Sequence, residues 1–212
     1  MIDNIKVFCQ STIKILKNKI IYFDPFNIEK EYKDADVIFI THDHYDHFDE
    51  KSILKIKKDN TKIVIPETLK EKTNKIFDEN DILVVLPDNN YTIYDISFKT
   101  VRAYNNNKPF HPKKNNWVGY VVIIDGVSYY IMGDTDDTLD ARSVVCDVLF
   151  IPVGGTYTMN SEEAVLFTNY IKPKIAVPIH YGDIVGTSAD SEYFINNLDP
   201  DIKGIILKEK EL

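Results

Sequence analysis

The sequence predicts a mixed α/β fold built on two β-sheets that pack face to face with helices outside. Short strand-like runs are followed by mixed strand and helix patterns, and this order occurs twice, which suits two sheets. With 212 residues, of which 44% are hydrophobic and 27% charged, the chain has a globular composition and can bury a sizeable core. It contains no internal repeat, Gly/Ser linker or long charge block, so we expect a single domain over residues 1–212.

The first part of the chain is rich in strand signals. Residues 35–41 (ADVIFIT) form a nearly continuous apolar run with β-branched side chains, which is typical of a strand buried on both faces. Asn18-Lys19 predicts a turn between two shorter runs. We expect strands over 6–8, 12–16, 20–23, 35–41, 63–65 and 82–86, and helices over 52–58 and 67–77.

The remainder predicts an antiparallel region and then alternating strands and helices. Asp125-Gly126 between two apolar runs is a strong hairpin signal. Asn160, with Glu163 three residues later, predicts the start of a helix through a capping box. We expect strands over 91–103, 118–124, 127–132, 147–152, 174–179 and 203–207, and helices over 161–171 and 188–198.

Charge and cysteine content restrict the function classes. The formal charge is −8, and a general nucleic-acid binder needs an excess of Lys and Arg, so a nucleic-acid partner is not expected. The two cysteines, Cys9 and Cys146, cannot form a disulfide framework, which favours a reducing compartment. Neither a signal peptide nor an apolar run long enough to span a bilayer is visible. We therefore expect a cytoplasmic protein with no membrane partner.

Three of the five histidines lie in one short segment, THDHYDH (41–47), directly after the predicted buried strand. His42 and His44 are two residues apart, so their imidazoles point to the same side of an extended segment. Together with Asp46 and His47 they form a donor set that suits a transition metal such as zinc. The alternative, a surface cluster without a metal, is disfavoured because histidine is scarce elsewhere in the chain.

Segment 42–47 (HDHYDH) resembles the H-x-H-x-D-H signature of the metallo-β-lactamase superfamily. Other landmarks follow in that family's order: Asp24-Pro25 after an early strand, GDT at 133–135 and PIH at 178–180. The resemblance covers nearly the whole chain. It is greatest to the short single-domain branch of predicted metal-dependent hydrolases, which includes ascorbate-6-phosphate lactonase-like proteins. It implies an αββα four-layer sandwich with a dinuclear site along one sheet edge.

Carried over residue by residue, the resemblance implies two divalent metal ions, with zinc as the default and manganese as the alternative. Superfamily members with a redox di-iron site resemble H-x-E-x-D-H, so a histidine at the second position of the signature favours hydrolysis. The implied ligands are His42 and His44 for the first metal, Asp46, His47 and His180 for the second, and Asp134 as the bridge.

The sequence departs from the family pattern at one ligand position. The common family histidine would lie near Asn105, and the only histidine that remains is His111, which we assign to the first metal. Two alternatives stay open. Either His111 is a loop or substrate-contacting residue, or Asn105 or a water completes that metal's coordination.

The implied reaction is hydrolysis of a small ester, lactone or phosphodiester by a hydroxide formed from metal-bound water. Asp46 is the catalytic candidate, since it can orient this nucleophile and take up a proton. Asp43 and Thr135 are adjacent to ligands and are candidates for fixing the second nitrogen of a histidine. A nucleic-acid phosphodiesterase and a non-catalytic metal-dependent binding protein are the alternatives.

Three further residues are candidates for substrate binding: Asn105, Tyr181 and Thr187. Thr187 begins a predicted helix, so an anion site and an ordinary capping turn are both open there. The polar segment 104–117 is either a substrate loop whose lysines meet phosphate or a solvated loop. We expect a small-molecule partner, and a homo-oligomer stays open.

Overall fold

The computed structural model describes residues 1–207, which divide into two compact units. Unit 1 comprises residues 1–85 with Leu207, and unit 2 comprises Leu86–Ile206. Each unit contains one mixed β-sheet and its own helices, so the predicted α/β class with two sheets is confirmed. The expectation of a single domain over residues 1–212 stays a prediction.

The sheet of unit 1 has six strands in sequence order, β1 to β6. The first three strands are antiparallel, and the pairs from β3 to β6 are parallel. The carboxyl ends of β3 and β4 therefore lie side by side at one edge of this sheet. The strands are β1 (Ile5–Val7), β2 (Ile13–Leu16), β3 (Ile20–Phe23), β4 (Ala35–Phe39), β5 (Lys57–Pro66) and β6 (Ile82–Val85); the helices are α1 (Glu50–Ile56) and α2 (Lys70–Thr73).

Two predicted elements of unit 1 differ from the structure. The predicted strand 63–65 is the end of a longer strand, β5, which begins directly after α1. The predicted helix 67–77 consists of a 3₁₀ turn over 67–69 and only four residues of α-helix. The Thr73 hydroxyl donates to the Leu69 carbonyl oxygen at 2.9 Å, a local contact that competes with helix continuation. The core of this unit joins Ile38 and Ile63 of the sheet to Ile53 of α1.

The sheet of unit 2 has seven strands in the order β13-β12-β11-β10-β9-β8-β7. Its pairs from β10 to β13 are parallel and the others antiparallel, so the carboxyl ends of β10, β11 and β12 share one edge. The strands are β7 (Asn90–Ile93), β8 (Ile96–Arg102), β9 (Val118–Ile124), β10 (Val127–Ile131), β11 (Val148–Pro152), β12 (Ile175–Ile179) and β13 (Lys203–Gly204); the helices are α3 (Leu139–Arg142), α4 (Ser161–Ile171) and α5 (Ser188–Asn196).

The turn chemistry of unit 2 confirms two predictions and corrects one. Asp125 and Gly126 both have positive φ, 52° and 75°, as the predicted hairpin requires. The capping box between Asn160 and Glu163 starts α4 as predicted. The run 91–103 is two strands, however, because the chain reverses after β7 through Tyr94, whose φ is 52°.

The core of unit 2 packs α4 and α5 against the sheet, with Phe167 and Phe194 both fully buried. Cys146 belongs to this core, and its burial raises the pKa of the thiol to about 12. The short helix α3 is absent from the prediction; Thr138 caps it by accepting from the Ala141 N–H at 3.1 Å. Within residues 1–207, no helix is long and apolar enough to cross a membrane.

Candidate metal centre

The histidine-rich segment of unit 1 is the loop that follows β4. His42, Asp46 and His47 are buried, whereas His44 is half-buried. A tight turn closes the loop, with the His47 N–H donating to the His44 carbonyl oxygen at 3.1 Å. His42 Nε2 lies 3.1 Å from His44 Nδ1, and the rings of His42 and His47 are 3.9 Å apart. The loop thus gathers the four predicted ligands of this unit.

A buried carboxylate, Asp24, holds this loop in place. Asp24 follows β3, and its backbone has a positive φ of 43°. Its Oδ1 accepts from the Thr41 N–H at 2.8 Å, and its Oδ2 accepts from the Thr41 hydroxyl at 2.7 Å and from His47 Nδ1 at 2.8 Å. The prediction identified Asp24-Pro25 only as a landmark, and a supporting role for Asp43 stays a prediction.

These contacts fix where the protons of two imidazoles lie. A carboxylate can only accept, so the neutral His47 ring carries its proton on Nδ1 and its lone pair on Nε2. The single Thr41 hydroxyl proton is donated to Asp24, so His42 Nδ1, 3.0 Å from Thr41 Oγ1, must donate to that oxygen. Both rings therefore present Nε2 as the nitrogen that can bind a cation.

Asp46, the catalytic candidate, is oriented by a buried glutamine. Gln10 Nε2 donates to Asp46 Oδ2 at 3.1 Å, and the same oxygen lies 3.6 Å from His47 Nε2. Gln10 has a φ of 59°, a left-handed conformation that is uncommon for residues other than glycine. Such backbone strain is concentrated at functional sites. Sequence reasoning missed Gln10, since the turn between β1 and β2 carries no motif.

The three predicted ligands of unit 2 also lie together. His111 Nε2 and His180 Nε2 lie 3.3 Å and 3.1 Å from Asp134 Oδ2, and all three side chains are almost fully buried. Asp134 follows β10 and His180 follows β12. His180 has a φ of 57°, and a Cβ at Gly154 would collide with the His180 carbonyl oxygen. Glycine at position 154 is thus required for His180 to take its place.

Asn105 contacts His111 through two hydrogen bonds. Its Oδ1 accepts from both the backbone N–H and Nδ1 of His111 at 3.0 Å. Its Nδ2 donates to Asp136 Oδ1 at 3.1 Å and to the Tyr157 carbonyl oxygen at 2.9 Å. The amide uses all four of its hydrogen-bonding positions, so a substrate hydrogen bond would have to displace one of them.

The other residues predicted to meet substrate have structural contacts of their own. Thr187 caps α5 in a box with Asp190, whose carboxylate accepts from the Thr187 N–H at 2.8 Å and occupies the helix start. Tyr181 is buried in the core, where burial raises the pKa of its hydroxyl. In the segment 104–117, Lys108 pairs with Asp136 at 2.6 Å. Substrate binding by Thr187, Tyr181 and Asn105 stays a prediction.

The donor chemistry of both units fits a transition metal. Each unit contributes buried imidazoles beside a carboxylate, which is the ligand type that zinc and manganese accept. Burying such groups is costly unless they are paired or bind a cation. The hydroxyl of Thr135, the other candidate for fixing a histidine, lies 3.1 Å from the carbonyl oxygens of both Tyr104 and Asp136.

Comparison with known proteins gives consistent matches over most of the chain. The model of a family described as the beta-lactamase superfamily domain matches residues 8–180. A UPF0173 metal-dependent hydrolase of Thermococcus onnurineus is 28% identical over 217 residues, covering 95% of each chain.

Solved structures agree with this match. A Parabacteroides distasonis protein, provisionally classed as a metal-dependent hydrolase, superposes with a TM-score of 0.80 at 28% identity, covering 96% of this chain and 91% of that one. A metallo hydrolase of the archaeon Ignicoccus hospitalis also gives a TM-score of 0.80, at 21% identity, covering 98% and 95% of the two chains.

Proposed function

Because this chain belongs to the metallo-β-lactamase superfamily, we propose that it is a dinuclear metal-dependent hydrolase of a small ester, lactone or phosphodiester. The coarser class, a metal-dependent hydrolase with the fold of this family, follows from the family match and from relatives that carry that name. The observation that supports the finer proposal is the set of buried imidazoles whose Nδ1–H groups are held by the protein, which leaves each Nε2 to bind a cation.

The proposed ligand assignment is the one that the family resemblance implies. It is the family resemblance that assigns ligands from both units to a common dinuclear centre. Zinc is the expected ion, with manganese as the alternative. His42, His44 and His111 would hold the first metal, Asp46, His47 and His180 would hold the second, and Asp134 would be shared by both.

When bound, two divalent ions lower the pKa of water and polarise the oxygen of a carbonyl or phosphoryl group. The side chains then divide the remaining work. Asp46 takes up a proton, and Gln10, which donates to Asp46 Oδ2 at 3.1 Å, holds that carboxylate in one orientation. Asp24 keeps the proton of His47 on Nδ1. We propose that the substrate is a small molecule, since a charge of −8 disfavours binding to nucleic acid. We also propose that the protein acts in the cytoplasm.

The test measures metal content and hydrolysis together. Protein reconstituted with zinc, and with manganese in parallel, is analysed for bound metal and assayed on an aryl ester, a lactone and an aryl phosphodiester. We expect about two ions per chain. We expect fewer in His42→Ala and in His111→Ala. Asp46→Asn should lower kcat about 10²- to 10⁴-fold, because it removes the proton acceptor.

The matched control is Tyr45→Ala, since Tyr45 is exposed within the same loop and is no ligand candidate. It should leave metal content and hydrolysis unchanged. A single ion that His111→Ala does not reduce would contradict the dinuclear assignment. Two ions without turnover on any of the three substrates would favour the metal-dependent binding protein.

A further inference from the structure

The Asn105 amide connects His111 to the carboxylate of Asp136. The Asn105 backbone N–H donates to the His111 carbonyl oxygen at 2.8 Å, and the His111 backbone N–H donates to the Asn105 side-chain Oδ1 at 3.0 Å. Asn105 also contacts Asp136, which is buried and follows Asp134 by two residues. All of these residues belong to unit 2.

The orientation of the Asn105 amide follows from its partners. The backbone N–H of His111 can only donate, so the atom that faces it must be Oδ1. The Tyr157 carbonyl oxygen can only accept, so the atom that faces it must be Nδ2. Since His111 Nδ1 also faces Oδ1, at 3.0 Å, that nitrogen must carry the proton.

Asp136 fixes the same amide from its other side. Its Oδ1 accepts from Asn105 Nδ2 at 3.1 Å and from Lys108 Nζ at 2.6 Å, and its Oδ2 accepts from the Asn106 N–H at 2.9 Å. Lys108 balances the charge of the carboxylate and donates to the Thr158 carbonyl oxygen at 2.8 Å. A rotation of the Asp136 carboxylate would therefore break at least one of these three hydrogen bonds.

We propose that Asp136 is a positioning residue for His111 and acts through Asn105. The Asp136–Asn105–His111 relay keeps the imidazole proton on Nδ1 and aims Nε2 at Asp134. The tautomer depends on these contacts alone, whereas its consequence for metal affinity rests on the proposed function. The relay also gives a physical reason for an asparagine near the position where the family usually has a histidine. An amide can connect a carboxylate to a histidine without adding a charge.

The test is ¹⁵N NMR of histidine-labelled, metal-free protein at about pH 9, where ordinary imidazoles are neutral. Only five histidines contribute signals, and His111→Gln identifies the one of interest. We expect a protonated Nδ1 in the wild type. Asn105→Leu should shift His111 towards the Nε2–H form, and Asp136→Ala should shift it in the same direction to a smaller extent.

The matched control is Asn107→Leu, because Asn107 is an exposed asparagine in the same loop; it should leave the tautomer unchanged. Lys108→Met provides a variant that keeps the carboxylate and should also retain the Nδ1–H form. A His111 ring that stays protonated on Nδ1 in both Asn105→Leu and Asp136→Ala would overturn the relay. A shift in Asn105→Leu alone would remove Asp136 from it.

Zinc affinity of the same variants separates this proposal from the proposed function. The relay variants should bind zinc about 10- to 100-fold more weakly than the wild type and Asn107→Leu. If the wild type binds neither zinc nor manganese, the proposed function fails while the tautomer result still stands. If zinc binds equally to all variants although the tautomer shifts, the relay does not position a ligand and that part is overturned.

Discussion

In unit 1 the imidazole of His47 donates directly to a buried carboxylate, whereas in unit 2 the imidazole of His111 donates to a neutral amide. Asp24 only accepts, and one residue fixes both the β4 loop and a histidine proton. Asn105 both accepts and donates, so it passes on an orientation that Asp136 sets. The comparison indicates that the support of one histidine is concentrated in Asp24 in unit 1, whereas the support of His111 in unit 2 is distributed over several residues.

Removal of Asp24 should have the largest effect. Asp24→Ala deletes the acceptor of three hydrogen bonds at a fully buried position, so we expect a loss of about 3–5 kcal/mol in the free energy of unfolding. Urea unfolding measures this loss. The control is Asp81→Ala, which removes a partly exposed ion pair with Lys62 and should cost about 1 kcal/mol or less. Equal losses in the two variants would contradict a concentrated support in unit 1.

Gly154→Ala tests the corresponding dependence in unit 2 and should have the next largest effect. The added Cβ collides with the His180 carbonyl oxygen and lies 2.9 Å from a methyl group of Val185. We expect a loss of about 1–3 kcal/mol in the free energy of unfolding, typical of overpacking. Gly126→Ala provides the control, since no atom lies within 4 Å of its added Cβ. Its positive φ of 75° adds backbone strain only. A Gly154→Ala variant that loses less than about 1 kcal/mol would show that the loop around His180 moves to accommodate the added methyl group.

The residues of the site also differ in whether the sequence could predict them. Ligands in one short segment, such as His42 and His47, are recognisable because their spacing is a motif. Gln10 and Asp136 could not be predicted, because each acts on a side chain more than 30 residues away in the sequence. No local pattern encodes such a contact. The shortened helix over 67–77 is a different case, because the Thr73 hydroxyl contacts the Leu69 carbonyl oxygen only four residues earlier, and such a local contact weakens a helix that the pattern favours.

Substitutions of Gln10 test whether its hydrogen bond to Asp46 affects catalysis rather than folding. Gln10→Gly and Gln10→Ala both remove the hydrogen bond to Asp46, so each should lower kcat about 10-fold. Glycine accepts a φ of 59° without strain, so Gln10→Gly should be more stable than Gln10→Ala by about 1 kcal/mol. Steady-state kinetics with urea unfolding separate the two effects. If kcat follows stability across the pair, Gln10 does not position Asp46.

Substitution of Asp147 should have the smallest effect on stability and provides a contrast to the removal of Asp24. Like Asp24 it accepts from three donors: Lys174 Nζ at 2.8 Å, the Ser128 N–H at 2.9 Å and the Ser128 hydroxyl at 2.8 Å. Unlike Asp24, its side chain is 24% exposed and its lysine partner 69% exposed. Solvent screens such a pair, so Asp147→Asn should cost less than about 1 kcal/mol at pH 7.

The pH dependence of this difference has a definite sign. The hydrogen bond from Lys174 and those from Ser128 lower the pKa of Asp147 from 3.8 to about 2. A carboxyl with a lowered pKa in the folded state adds stability above its unfolded value, and this stability is lost as the pH falls towards 2. Wild type and Asp147→Asn should therefore differ by a constant amount above pH 4 and converge near pH 2. A gap that stays open at pH 2 would mean that the amide disturbs the hydrogen bonds to Ser128 of β10, and that the charge of Asp147 is not what the substitution removes.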